Sequence, residues 1–429
     1  MNECFDDLGK EHRADGSMWF NDLKRERQNG PSLTTNRYES CDFSTKSVHS
    51  GQYDDPLTKA LGTPIYQSST FYLSEGVYDS IHEGSARDQM IYTRYGNPSQ
   101  WAVQEKISAL ENAESTIVFA SGMSAISSAI LSVLEKSSHM VTSRDLYGGT
   151  YNLLYEDLQR FGMSVSYVSP TDINEIEAAI QEDTKLLYFE SLTNPLLKMV
   201  PVEDLVALGK KYKLRVVIDN TFLTPYNLRV LDYGVDLVIN SGTKYLGGHS
   251  DIVAGAVSGS RKLMDGVWGQ MLKNGGSLDP HACFLLERSL KTFAIRMRTH
   301  NQNAKELAVY LENHPKIKRI YYPGSPSYAQ TELAAKQLNG KCSGMMSFEV
   351  VGGNKAAHYL LDNLKLTKQA TSLGGVESLG SLPYNTSQAS LTENQQKEIG
   401  INEGLVRLSV GIEDIEDLKK DFERVLNTL

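Results

Sequence analysis

The 429-residue sequence is poor in cysteine: Cys4, Cys41, Cys283 and Cys342 are far apart and form no C-x-x-C pair. Neither a zinc site nor a disulfide framework is expected, and the thiols are read as reduced. His249 lies close to Asp251, but a lone histidine with one acidic neighbour reads as a hydrogen-bonded structural residue, so no metal is expected. No apolar run approaches the roughly 20 residues that a bilayer span requires, and the first 30 residues are too polar for a signal-peptide core. Positive charge is also short, with 43 Lys and Arg against 52 Asp and Glu and a formal charge of -9. The clearest basic cluster, Lys24-Arg25-Glu26-Arg27, is interrupted by an acid. Nucleic acid and anionic membrane are thereby disfavoured as partners, and a cytoplasmic protein is expected. No G-x-G-x-x-G follows the first strand, which argues against a dinucleotide-binding dehydrogenase.

What the chain does have is a series of short β-rich runs from about residue 101: STIVFA (115–120), HMVTS (139–143), SVSYVS (164–169), KLLYFES (185–191), LRVVID (214–219), VDLVINS (235–241) and IVAGAVS (252–258). Ile126, Ala129, Ile130, Val133 and Leu134 recur at helical spacing between the first two runs, as do Ile173, Ile176, Ala179 and Ile180 between the third and fourth. Strands that are continuously apolar and alternate with helices predict an α/β fold, a mostly parallel seven-stranded sheet covered on both faces. Such sheets bind ligands beyond the carboxyl ends of their strands. After about residue 296 the strands become fewer and longer (MMSFEVV, LVRLSVG), and EDIEDLKKDFERVL closes the chain as an amphipathic helix, which predicts a smaller α+β domain. The expected organisation is an extension over 1–44, an arm over 45–100, a ligand-binding domain over 101–295 and a carboxyl-terminal domain over 296–429.

Chemistry collects just past the strands. Ser121-Gly122-Met123-Ser124 opens a helix, where unpaired amides and the positive dipole end suit a phosphate; the same pattern also serves as a plain helix cap. Asp219 stands at the mouth of LRVVID, as a cap or as a functional acid. Lys244 follows VINS, hemmed in by Ser241, Thr243 and glycines, and either snorkels to solvent or is held in the core. A lysine deprived of water has a depressed pKa, and its uncharged amine attacks carbonyl carbons. Amine, acid and phosphate cradle together match the needs of pyridoxal 5'-phosphate, with Tyr147 either stacked on the ring or buried in the core.

From TKSVHSGQ (45–52) to the carboxyl end the sequence resembles the pyridoxal-phosphate enzymes of cysteine and methionine metabolism. That family holds the cystathionine γ-synthases and lyases, the methionine γ-lyases and the O-acylhomoserine sulfhydrylases. The resemblance is carried by YTRYGNPS (92–99), FASGMSA (119–125), DLYGGT (145–150), ESLTNP (190–195), VVIDNTF (216–222), SGTKYLGGHSD (241–251), SLGGVESL (372–379) and VRLSVGIED (406–414). It implies the fold of the type I pyridoxal-phosphate-dependent transferases. It also implies that Lys244 binds the cofactor's aldehyde and moves protons, and that Asp219 pairs with the ring nitrogen. Gly122, Met123, Ser241 and Thr243 would bind the phosphate, and Tyr147 would stack on the ring and assist the leaving group. Tyr92 and Arg94 would reach a neighbouring subunit's phosphate, in a homotetramer built from dimers that share active sites. Arg407, helped by Asn194 and Ser378, would clamp the carboxylate of an amino-acid substrate.

The chain departs from the family at informative places. Ile91 stands where cystathionine-handling relatives carry an acid, which disfavours a cationic distal group. Glu377 resembles an acid of those same enzymes and argues the other way. Gly149 replaces the usual cysteine of the methionine γ-lyases, and Gln388 stands where the family has a histidine. The leading expectation is γ-replacement on an activated homoserine. Its alternative is γ-elimination from cystathionine, methionine or a related thioether, and a non-catalytic cofactor-binding scaffold is remote.

Overall fold

The computed structural model describes residues 38–52, 59–73, 77–84, 86–386, 396 and 399–429; the expectations for residues 1–37 and for Gln388 lie outside them. Seven strands build the large sheet: β1 (Ser115–Phe119), β2 (His139–Ser143), β3 (Ser164–Val168), β4 (Thr184–Glu190), β5 (Arg215–Asp219), β6 (Leu237–Ser241) and β7 (Gly255–Gly259). Their order is β1-β7-β6-β5-β4-β2-β3. Only β7 runs against its neighbours, pairing antiparallel with β1 and β6, so the sheet is mostly parallel as the apolar strands predict. Both faces are covered. Leu187, Phe189, Ile218 and Val238 enter one apolar cluster, while Leu186, Tyr188, Val217 and Ile239 enter another on the opposite face. Alternation is present, but it separates two cores instead of core from water, and each fully buried large side chain contributes about 1.5–3 kcal/mol.

One strand differs from the sequence expectation. The last run starts its ladder at Gly255, not Ile252, because Ala254 is drawn to Thr243: Ala254 N donates to Thr243 Oγ1 (3.0 Å) and Thr243 N donates to Ala254 O (3.2 Å). The expected helices form at Gly122–Val133 and Ile173–Ala178. The second is shorter than its apolar spacing, with Ala179 already its carboxyl-terminal cap.

A second sheet holds β8 (Ile317–Tyr321), β9 (Met345–Val350), β10 (Lys368–Gln369), β11 (Leu379–Ser381) and β12 (Leu405–Ser409), in the order β10-β11-β12-β9-β8. The long helix Phe293–Glu312 leads into it, and the amphipathic helix Ile415–Leu426 buries Leu418, Phe422, Val425 and Leu426 against it. Asp414 caps that last helix by accepting from the amides of Glu416 and Asp417. No helix among the described residues is long and apolar enough to cross a membrane.

Candidate active site

Because β1, β2, β4, β5 and β6 share a direction, their carboxyl ends meet on one edge of the sheet. A cavity of about 680 Å³ opens there. Gly122, Met123, Tyr147, Asn194, Asp219, Ser241, Thr243, Lys244 and Arg407 all line it, residues brought together from both sheets.

The Lys244 segment leaves β6 in a tight turn. Lys244 itself is non-helical (φ -90°, ψ -132°), and the turn closes as Gly248 N donates to Lys244 O (2.7 Å). Arg296 clamps this turn from below, donating to Tyr245 O at 2.7 Å and to Leu246 O at 3.2 Å. Gly248 sits at φ +70°, and a Cβ there would lie 1.9 Å from the Arg296 guanidinium, so the clamp requires glycine. The Lys244 amine is neither snorkelled nor ion-paired; it donates to Ser372 Oγ at 2.7 Å. Burial, with the nearby Arg407 charge adding to it, lowers its pKa to about 8.

Asp219, the last residue of β5, accepts from Thr221 N (3.0 Å) and Thr221 Oγ1 (2.5 Å). It caps a turn and lines the cavity at once. Burial raises its pKa against the pull of the two Thr221 hydrogen bonds. At the first strand end, Ser121 accepts from Ser124 N and caps a twelve-residue helix. Gly122 lies so close to β6 that a Cβ would come within 3.0 Å of Ser241 Oγ. A phosphate would meet the first amides of this helix and the Ser241 hydroxyl, which has no hydrogen-bond partner among the described residues. Tyr147 is 48% exposed and on the cavity wall, which rejects the core-aromatic reading. Gly149 leaves room for its ring: a Cβ there would stand 2.7 Å from Tyr147 Cε1.

Opposite, β12 carries Arg407, only 6% exposed. Its guanidinium donates to Asn194 Oδ1 (3.3 Å) and to Ser372 O (3.0 Å), and burial lowers its pKa to about 10, still a cation at neutral pH.

Two expected residues are corrected. Ser378 is buried away from the cavity, where it donates to Glu413 and accepts from Gly411 N; Glu377 turns outward to Ser250. The serine of the SLGGVESL segment that reaches the site is Ser372, six residues earlier, together with Thr371 and Leu373. Gly374, at φ +77°, lies against the backbone of Tyr245 with no space for a Cβ, and this contact lays the loop across Lys244. Glu190 is a further cavity residue that sequence reasoning passed over, although it opens the quoted segment ESLTNP. Tyr92, Arg94 and Ile91 do not line the cavity of their own chain; Arg94 donates to Leu272 O at 2.9 Å, and Tyr92 is 43% exposed. His249 is held by Gly247 O (2.7 Å) and Ser289, a structural role, and no metal-binding cluster occurs among the described residues.

A desolvated amine, an acid at the neighbouring strand end and a glycine-backed helix terminus fit pyridoxal phosphate group for group, and they define a pyridoxal-phosphate-dependent enzyme of α/β architecture. Residues 44–427 match the Cys/Met metabolism PLP-dependent enzymes, and the chain belongs to that family. It is 40% identical over 395 residues to an L-methionine gamma-lyase of Fusobacterium nucleatum, covering 90% of this chain and 98% of the relative. With the cystathionine gamma-lyase of Bacillus subtilis it shares 39% over 386 residues, covering 90% and 99%. The crystal structure of the Lactobacillus plantarum cystathionine gamma-lyase complexed with L-serine superposes with a TM-score of 0.84 at 36% identity, covering 90% of this chain and 98% of that one.

Proposed function

We propose that this enzyme is a carbon–sulfur lyase that eliminates the γ-thiol group of an amino acid whose distal end is an uncharged thioether. With water consumed, the products are a thiol, 2-oxobutanoate and ammonium. The observation that carries this reading is the convergence on Ser372: its hydroxyl accepts from Lys244 and its carbonyl from Arg407. A substrate carboxylate held by Arg407 and Asn194 thus places its α-carbon beside the Lys244 amine.

When bound, the cofactor withdraws electrons from the substrate's α-carbon, which makes the protons there and at the next carbon removable. Lys244, with its pKa near 8, takes the α-proton and carries it onward. Asp219 keeps a proton on the ring nitrogen, and Tyr147, at the open side of the cavity, protonates the departing sulfur. The rest of the wall is largely apolar, with Ile126, Leu192, Phe222, Val253 and Leu373, and its acids are Asp219 and Glu190. Since Glu377 is not part of it and Ile91, beside the Tyr92 that a neighbour would contribute, is apolar, neither position offers a partner to an ammonium at the distal end of a substrate, while a thioether is accommodated. The methionine and cystathionine gamma-lyases among the relatives support elimination.

The test is a substrate panel on the holoenzyme. Methionine and its longer S-alkyl homologues are expected to release 2-oxobutanoate faster than cystathionine. The reading is overturned if thioethers are left intact and only an O-acylhomoserine with an added thiol reacts, giving a γ-substituted amino acid; that is the γ-replacement expected first from the sequence.

The same reading includes a homotetramer of active-site-sharing dimers, with Tyr92 and Arg94 serving a neighbour's cofactor phosphate. Support comes from the exposed aromatic and aliphatic side chains of the arm, Leu61, Tyr72, Tyr78 and Tyr92. Mixing inactive Arg94→Ala and Lys244→Ala chains is expected to restore activity through hybrid dimers; no recovery after verified subunit exchange rejects sharing.

A further inference from the structure

Glu190 ends β4 directly beside Asp219 at the end of β5, and the two are partners in the parallel ladder, so their side chains share a face. Both line the cavity, and Glu190 is only 7% exposed. The two carboxyls are bonded differently. Asp219 receives two hydrogen bonds from Thr221, which favour its ionised form. Glu190 receives one, from the Tyr147 amide at 2.7 Å, and no lysine or arginine of the described residues pairs with it. Two adjoining carboxylates out of water repel, which favours the pair's holding one proton over its carrying two charges.

We propose that Glu190 is a positioning residue that works in its neutral form: it seats Tyr147 through that residue's backbone amide and leaves Asp219 as the single negative charge facing the cofactor ring. This rests on where the cofactor sits, not on which bond the enzyme breaks. Tyr147 begins the turn that leads into the helix Gly148–Asn152, so an anchor on its amide fixes where the ring projects. A charged Glu190 would instead offer the ring a second carboxylate and weaken the selection of Asp219 as its partner.

The surroundings of Glu190 act in the same direction. Burial is the largest effect raising its pKa well above the carboxylate range; Asp219 adds to it, the Tyr147 hydrogen bond opposes it, and Asp145 beyond β2 adds again. Asp145 is itself neutralised in part by Lys198 at 2.8 Å. Tyr188, two residues earlier on β4, has its phenol raised well above its ordinary value by burial and by both acids, so it stays neutral. Lys244 and Arg407 face the cavity from other elements but bond to Ser372.

The experiment compares infrared spectra and kinetics of the full chain, with and without cofactor. Subtracting the Glu190→Gln spectrum from that of the parent at pH 7 is expected to leave the carbonyl band of a protonated carboxylic acid. In an Asp219→Asn background that band should vanish at lower pH, because the repelling charge is gone. In turnover, Glu190→Ala is expected to lower kcat about tenfold or more, and Glu190→Gln, which keeps an uncharged acceptor, to recover most of that loss. Absence of the acid band overturns the proposal, as does equal impairment of the Gln and Ala variants, which would mean that the negative charge is needed. If Glu190→Ala does not fold, as judged by circular dichroism, the infrared comparison on Glu190→Gln decides alone. A different substrate preference would overturn the lyase reading and leave this one standing.

Discussion

Lys106 and Lys244 sit in two regions that treat the same side chain in opposite ways, although burial lowers both amines to about 8. Lys106, fully buried on the helix Pro98–Glu111, donates to the carbonyls of Ser47 (3.2 Å) and Val48 (3.0 Å) and lies 3.7 Å from Glu287. It pins the amino-terminal arm to the body. Lys244 has no carboxylate and a single hydroxyl acceptor, and it opens onto a cavity. A low pKa therefore does not make a lysine a nucleophile. Access does, together with acceptors weak enough to be left behind.

The comparison can be broken by experiment. Lys244→Ala should reduce turnover by about 10³-fold or more, with thermal stability close to the parent's; steady-state kinetics beside a melting curve checks it, and residual activity near the parent's removes Lys244 from the chemistry. Lys106→Met should do the reverse. Removing one partner of a buried, charged network costs about 3 kcal/mol of stability, read by denaturant unfolding, whereas KM should barely move.

The difference sharpens in the cofactor-free chain under an amine-acylating reagent. Below about pH 8 Lys244 is an unreactive ammonium and above it a free amine, so its labelling should reach half its maximum near pH 8. Lys106 should stay unlabelled wherever the fold persists. Peptide mass spectrometry separates the two sites, and equal labelling would show that burial as such sets reactivity.

The last test concerns a carboxyl. Glu111, fully buried and bonded to Asn240 Nδ2 at 2.6 Å, is pushed from 4.5 to about 8, chiefly by burial. A pKa raised on folding means that the favourable contribution is complete below the unfolded value and is lost as pH climbs to the folded one. Glu111→Gln should match the parent below pH 4.5 and become the more stable of the two between 4.5 and 8. The gain should grow by up to about 1.4 kcal/mol for each pH unit climbed across that range. A constant gap across that range would mean that Glu111 is ionised in the fold.

Much of the site was legible because its parts are local. Ser121 to Ser124, Asp219 and Lys244 each follow an apolar run directly, and a parallel sheet must bring such ends together. The errors were of another kind. Ser372 and Ser378 both lie in one short segment with the same composition around them, and only the contact of Gly374 with Tyr245 decides which serine meets Lys244. Glu190 gave a faint signal, an acid closing an apolar run, but its meaning depends on its ladder partner Asp219. Arg296 gave none, since a clamp on the carbonyls of Tyr245 and Leu246 is made across some fifty residues of chain.

By itself the sequence determined the strands, their coverage on both faces and which amine, acid and glycine-backed helix start stand at the strand ends, because hydrophobic period and strand-end chemistry are properties of neighbouring residues. Tertiary structure alone decided that Arg407 reaches across from the second sheet, that Ser372 receives Lys244, and that one buried lysine fastens an arm while another faces a cavity. Those outcomes depend on register and packing between segments as many as 213 residues apart. No local pattern encodes which acceptor, or how much water, a side chain will find there.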